Sequence, residues 1–364
     1  MRFSTFHQPL APTSDDDARV IDELIEQVVA AEELGFETAW LTEHLFNATC
    51  AYGDPTLIAA ALSQRTTRIR VGFAVLQMAM THPARLVIQT GLLDNLLRGR
   101  LTLGLGRGSA FNPHEYEAFG VSPDAEHDRA QMFEAIELME RAWAGDGSFD
   151  GEHYHVEIPE VRPAPVQRPH PPIVLAVLSD ETLRWSAQHG HSVLMPRLQV
   201  GRAMNRLAFF REALEEAGHD AETVERLVDG CAMTRTIYVA ESEEAAHAEL
   251  QAAEVRHRGG RAPDVDSAPG MVPDPRLWQA TPGAKTADTK KDAATQLTKT
   301  ILGSTIGGTP EAVRVEIAKL NDAGVPELML AFSRGDIPHK KVLRSMELFA
   351  TEVMPAFASE PASI

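Results

Sequence analysis

Cysteine is nearly missing. Cys50 and Cys231 are the only two in 364 residues, too few for a disulfide framework, so a reducing setting is expected. Aromatic residues make up 6% of the chain, and basic residues are outnumbered 34 to 52, which leaves a formal charge of −18. An acidic surface repels nucleic acid and anionic membranes, so neither is an expected partner. No run approaches the roughly 18 consecutive apolar residues of a membrane span. The N-terminal Met1-Arg2-Phe3-Ser4-Thr5-Phe6 also lacks the charged segment and long apolar run of a secretion signal, and a cytoplasmic location is expected. A G-x-S-x-G elbow, a Walker lysine and a G-x-G-x-x-G fingerprint are absent as well, which removes three familiar catalytic and nucleotide-binding readings.

What is present is alternation. Apolar runs at 2–7, 37–42, 69–76, 100–106, 172–177, 191–195, 231–239 and 326–332 are each followed by a helical pattern. The helical patterns lie at 17–35, 55–65, 83–97, 124–144, 180–189, 201–217, 242–257 and 339–354. Runs such as Ile173-Val174-Leu175-Ala176-Val177 are apolar throughout, as in a parallel sheet covered on both faces. Eight units favour a (β/α)8 TIM barrel, an α/β fold, over an open doubly wound sheet, with 1–364 as a single domain. Residues 145–171, with Gly and Asp-Gly turns before a Pro-rich connection, read as an inserted hairpin. Residues 258–308 are poor in periodic apolar residues and read as a long insertion, either functional or disordered.

In such a barrel the polar groups just past the strands' carboxyl ends share one face. Glu43-His44 ends one apolar run, and a histidine there can exchange protons near neutral pH; a bond to loop backbone is the plain alternative. Gly104-Leu105-Gly106-Arg107-Gly108-Ser109 ends another. Its glycines let N–H groups approach an anion and Arg107 can fork onto phosphate, although glycines also serve simply to turn a chain. Leu178-Ser179-Asp180-Glu181-Thr182 opens a helix, with Ser179 as N-cap, and the free N–H groups of a first turn suit phosphate. His153-Tyr154-His155 puts two imidazoles on one side of an extended segment without a third ligand in a recognisable pattern, so no metal is expected. Phe6, His7, Phe46, Phe111 and Asn112 follow predicted strands and are candidates to line a substrate pocket, packing being the simpler role for the phenylalanines.

Trp40-Leu41-Thr42-Glu43-His44, Arg68-Ile69-Arg70-Val71-Gly72-Phe73-Ala74-Val75, His82-Pro83-Ala84-Arg85, Leu92-Leu93-Asp94 and Gly99 through Gly108 together resemble the bacterial luciferase-like flavin monooxygenase family. Phe119-Gly120 with Arg129, Gln167 through Ile173, and Ile306-Gly307-Gly308-Thr309-Pro310-Glu311 continue the resemblance in order. It implies a barrel that uses FMN as FMNH2, supplied by a separate NAD(P)H:flavin reductase. With O2 the reduced flavin forms a C4a-peroxide that oxygenates a small organic substrate, and a homodimer is expected. By resemblance His44 is the catalytic histidine and Glu43 its neighbour near the flavin. Ala74-Val75 is the strand end behind the isoalloxazine, often a cis peptide. Arg107 with Ser179 and Thr182 is the phosphate site, flanked by Gly108, Ser109 and Leu178, and 258–308 falls where the family carries a mobile lid. Leu45 stands where the luciferase subunit has a second histidine and Gly106 where it has a cysteine, so light emission is not expected. An F420-dependent oxidoreductase on the same barrel, and a non-catalytic flavin-binding protein, are the alternatives.

Overall fold

The apolar runs are strands and the periodic segments helices in a computed structural model that describes residues 1–46, 50–108, 113–257, 305–333 and 337–357. Strand β1 (Arg2–His7) precedes helix α1 (Asp17–Leu34), and β2 (Thr38–Leu41) precedes α2 (Pro55–Ser63). Next come β3 (Arg70–Phe73), the two-residue β4 (Leu76–Gln77), α3 (Pro83–Leu96), β5 (Leu101–Gly106), the short α4 (Pro113–Ala118) and α5 (Ala125–Ala144). A hairpin of β6 (Ser148–Asp150) and β7 (His155–Glu157) leads to β8 (Ile173–Ala176), α6 (Asp180–Gln188), β9 (Ser192–Met195), α7 (Val200–Glu216) and α8 (Ala221–Asp229). The last third holds β10 (Ala232–Val239), α9 (Glu243–His257), β11 (Thr305–Gly308), α10 (Pro310–Asp322), β12 (Glu327–Ala331) and α11 (His339–Leu348).

Strands β1, β2, β3, β5, β8, β9, β10 and β12 pair in that order, all parallel, and β12 returns to β1. The result is the expected (β/α)8 barrel. The hairpin of the 145–171 segment pairs Phe149 with Val156 in antiparallel register. The 258–308 insertion is corrected at its end: Thr305–Gly308 is a strand, paired in parallel with Thr236–Val239. It forms there because β10 runs on past Thr236, the last residue that β12 pairs, and its far half can take another partner. Residues 258–304 lie outside the described residues.

Local signals set the helix ends. Asp54, His82, Ser179 and Thr309 each accept an N–H from the first turn of the helix they precede, and proline follows three of them. Helix α1 ends at Gly35, in the left-handed conformation with φ 86°. Two carboxylates tie distant segments together. Glu32 at the end of α1 accepts the N–H groups of Thr67, Arg68 and Ile69 just before β3, and Glu134 on α5 accepts those of His153 and Tyr154 in the hairpin.

Alternate side chains along the strands feed two cores. Leu41, Phe73, Leu103, Leu175 and Leu330 point out against the helices, while Trp40, Val174, Leu194, Ala232 and Met329 fill the barrel together with Phe6, Ala74 and Val75. Below that inner cluster lies a polar floor. The Glu327 carboxylate accepts the Ser4 hydroxyl at 2.6 Å and the Trp40 indole N–H at 3.0 Å, and it lies 3.5 Å from Arg2 Nε. Glu327→Ala strands two buried donors and removes a buried charge partner, so it is expected to cost about 2–4 kcal/mol. Urea denaturation checks this; a loss below about 0.5 kcal/mol, less than one ordinary hydrogen bond, contradicts the role given to the floor.

Candidate active site

The carboxyl ends of the barrel strands bring two chemically different regions to one face. The first is acidic. From the end of β2 the chain runs into Thr42, whose hydroxyl donates to the His7 carbonyl at 3.2 Å, then Glu43 and His44. The Glu43 carboxylate accepts the Gln77 backbone N–H at 2.6 Å, and the Gln77 side chain donates back to the Glu43 carbonyl at 3.3 Å. Burial, together with the charges of Asp54 and Glu115, pushes the Glu43 carboxyl up to about 8. Burial lowers the His44 imidazole, whose Nδ1 lies 4.0 Å from the fully buried Glu115 carboxylate on α4. The same Glu115 charge adds to burial in pushing the Cys50 thiol up to about 12. Burial also raises the Tyr52 phenol, which packs beside Thr42.

Next to this acidic corner the wall carries a kink. Gly72 sits opposite Thr102, an offset of 30, but Leu76 sits opposite Leu105, an offset of 29, so one extra residue is inserted between β3 and β4. The inserted stretch holds the cis Ala74–Val75 peptide, and both side chains face the inner cluster. Gly106 makes room for it: a Cβ there would meet Val75 Cγ2 at 2.6 Å.

The second region is cationic. Arg107 follows β5, and its carbonyl accepts the Ala79 N–H at 3.0 Å. Its charge reaches Tyr116, Asp128 and Arg129, and Gly108, at φ 120°, passes beneath the Tyr116 hydroxyl. Burial and the repulsion of Arg107 lower the Arg129 guanidinium, which pairs with Glu181 in the first turn of α6. At that helix start Ser179 Oγ accepts the Thr182 N–H at 3.2 Å and lies 3.0 Å from the Thr182 hydroxyl. Two guanidiniums beside a helix N-terminus suit a phosphate, and the apolar Ala74–Val75 wall suits a planar ring system, so these residues fit a flavin nucleotide.

A family model described as luciferase-like monooxygenase matches residues 1–327. The chain belongs to that family. A flavin-dependent trigonelline monooxygenase oxygenase component from Acinetobacter baylyi is 30% identical over 248 residues, 67% of this chain and 66% of its own length. The crystal structure of monooxygenase RslO1 from Streptomyces bottropensis superposes with a TM-score of 0.79 at 25% identity, covering 98% of this chain and 100% of that one. An F420-dependent secondary alcohol dehydrogenase, in complex with an F420-acetone adduct, shares the fold with a TM-score of 0.71 at 18% identity, covering 98% and 99%. The matches with the first curated relatives span 47% and 62% of the length of those proteins.

In this member of the family the sequence candidates fall into three groups. Glu43, His44, Ala74, Val75, Arg107, Gly108, Ser179 and Thr182 stand at the barrel mouth with half-buried Phe6, while Leu178, 48% exposed, and Phe46, 68% exposed, stand at its rim. The Phe46 ring lies 6.0 Å from that of Phe119. His7 is elsewhere. Strand alternation turns it away from the inner Phe6 and toward α1, where it lines a cleft with Gln27, Ser333 and His339. Ser109, Phe111 and Asn112 lie outside the described residues. His155 pairs with Asp150 at 2.6 Å, and among the described residues no group of three or more His, Cys, Asp or Glu can hold a metal. Among the described residues no helix is long and apolar enough to cross a membrane.

Sequence reasoning did not single out Glu115, Tyr52 or Gln77, and it gave Phe119 and Arg129 no role. Those two had a signal, their place in the resemblance. The raised Glu43 carboxyl has a thermodynamic consequence. A carboxyl raised in the folded state contributes stability that is complete below its unfolded value near 4.5 and is lost as pH rises through about 8. Glu43→Gln keeps an acceptor for the Gln77 N–H but does not ionise. It is expected to gain on the parent protein from pH 5 to 8.5, by on the order of a few kcal/mol. Parallel stability curves across that window contradict a buried, protonated Glu43.

Proposed function

We propose that the chain is the oxygenase of a two-component flavin monooxygenase, taking FMNH2 from a separate NAD(P)H:flavin reductase and oxygenating a small organic substrate. The observation that carries this reading is the meeting, on one barrel face, of a partly exposed histidine, an apolar wall at Ala74–Val75 and an arginine-lined helix N-terminus. The family membership and the flavin-dependent relatives support it. Bound reduced flavin supplies the two electrons that activate O2, so that one oxygen atom enters the substrate.

The protein's own part divides by region. Arg107, Arg129 and the first turn of α6 bind the phosphate; Arg129 exchanges exposed Glu181 for the ligand. Ala74 and Val75 support the ring, and Phe6 and Trp40 keep the space below it apolar and dry. His44, whose imidazole burial lowers from its ordinary range, moves the proton that oxygen transfer requires. The same phosphate anchor would also suit the F420 alternative, since the chain shares its fold with an F420 enzyme. Reaction with O2 separates the two cofactors.

The decisive test follows binding and chemistry separately, with a panel of small organic substrates and isotopically heavy O2. Reduced FMN is expected to bind more tightly than oxidised FMN or F420, and heavy oxygen to enter one product. Arg107→Ala is expected to weaken FMNH2 binding on the order of tenfold to hundredfold by removing a charge-assisted contact. His44→Ala is expected to bind normally, lose about 10²–10⁴ in product formation and release hydrogen peroxide. Preferential F420 binding, or full product yield from His44→Ala, overturns the reading.

For the assembly we infer a homodimer. Leu57 on α2 and Ile88, Leu92 and Leu96 on α3 are 69%, 50%, 48% and 37% exposed, and the three on α3 fall at i, i+4, i+8 along one side. Such a side buries well against a copy of itself. Light scattering is expected to give twice the chain mass for the parent and a monomer for the Ile88→Lys, Leu92→Lys double variant; a monomeric parent contradicts it.

A further inference from the structure

On the outer side of β1, the strand's end, α1 and the chain leading into α11 line a cleft of about 530 Å³, its open side included. Strand alternation puts Phe6 in the barrel and His7 against α1, so the wall itself stands between this cleft and the mouth. The charged groups around the cleft are already matched. Arg19 pairs with Asp16 and with Glu23 at 2.8 Å each, and His339 Nε2 lies 2.9 Å from Glu26. What the cleft leaves open is neutral. His7 is 4% exposed, its Nε2 lies 2.8 Å from the Thr5 hydroxyl, and no described residue bonds its Nδ1. Burial pushes the imidazole down to about 4, which keeps the ring neutral at physiological pH. Gln27, 6% exposed, turns its amide nitrogen to His339 Nδ1 at 3.2 Å, and no described residue bonds its amide oxygen. A polar atom withdrawn from water costs free energy unless something bonds it. Two side chains with such atoms line this one cleft, and together they point to a ligand.

We propose that the cleft between β1, α1 and α11 is a second binding site, separate from the barrel mouth, for a small neutral molecule that carries hydroxyl groups on a short apolar body. A hydroxyl both donates and accepts, and the groups on offer ask for both. The Thr5 hydroxyl can turn to give or take the proton at His7 Nε2, so His7 Nδ1 presents either a lone pair or an N–H. The Gln27 amide oxygen accepts, and Gln8 and Ser333 bring a further amide and hydroxyl. Leu10, Val20, Leu24 and Ile337 supply the apolar lining that a carbon chain needs. A carboxylate would have to take Arg19 from Asp16 and Glu23, and an ammonium would have to take Glu23 from Arg19. A neutral ligand breaks neither pair.

The test titrates the full chain, carrying isotope-labelled histidine and glutamine, with hexane-1,2-diol and with two charged probes of the same chain length, hexanoate and hexylammonium. NMR reads the His7 and His339 rings and the Gln27 side-chain amide. The diol is expected to move the His7 and Gln27 signals with a Kd on the order of 1 mM, as a ligand of so few atoms allows, and the charged probes to bind at least about tenfold more weakly. The shifts are expected to persist when FMN is added in excess. Gln27→Met and His7→Phe keep most of the bulk and remove the bonding atoms, and each is expected to weaken the diol about three- to tenfold. Signals that stay fixed under all three probes overturn the proposal, and so does tighter binding of either charged probe. Diol affinity unchanged in both variants overturns it too, as do shifts that FMN abolishes, which would place the diol in the mouth. Where a variant does not fold, the titration of the parent decides alone. If FMN does not bind, the flavin reading of the mouth fails and the diol titration still decides this one.

Discussion

Ring closure at β10, where Met233 faces Met195 of β9 on one side and Leu328 of β12 on the other, leaves the eight-stranded wall without an open edge. Each strand of the wall then pairs with a neighbour on both sides, and side-chain chemistry falls to the strand ends. The polar floor of Ser4, Trp40 and Glu327 blocks the amino-terminal end of the bore, and the apolar cluster around Trp40 fills its middle. What remains open is the carboxyl-terminal mouth, and each loop that reaches it inherits its position from a strand held on both sides.

The mouth is electrically divided. Glu43, Asp54 and Glu115 gather on the side of β2 and α4, whereas Arg107 and Arg129 gather at the start of α6. A molecule with an anionic tail and a neutral ring has one favourable orientation across such a divide: tail toward the arginines, ring toward the histidine. The net charge of −18 says nothing of this arrangement, because it sums the whole surface and the division is local. On the proposed reading two arginines suffice to hold an anion in a strongly acidic chain, because at a helix N-terminus and partly buried the guanidiniums act at short range.

Much of the fold was legible because parallel strands covered on both faces are apolar almost throughout, as Ile173–Ala176 is at every position and Leu101–Gly106 at all but Thr102. The parity of β1 was hidden for another reason: in Arg2-Phe3-Ser4-Thr5-Phe6-His7 polar and apolar residues fall on both faces, so nothing along it tells that Phe6 points in and His7 points out. The strand at Thr305–Gly308 was missed because Gly307 and Gly308 read as loop, although only glycine fits at 308, where φ is 148°. Of the site, the parts following strands could be named in advance, since their position alone is informative. Glu115 and Tyr52 could not. An acidic residue in a six-residue helix and a tyrosine in a loop acquire meaning only when tertiary packing carries them against His44 and Thr42.

The kink between β3 and β4 ties the side-chain space of two positions together. The extra residue at 74–75 projects Val75 into the space where residue 106 would otherwise hold a side chain, and the two chain segments meet there with only a glycine between them. Position 106 can therefore accept a larger residue only if position 75 loses the Cγ2 methyl group or the kink itself moves. Neither side chain can be enlarged without the other giving way, so the two positions act as one coupled pair. The width of the barrel mouth at the kink is set by both positions together.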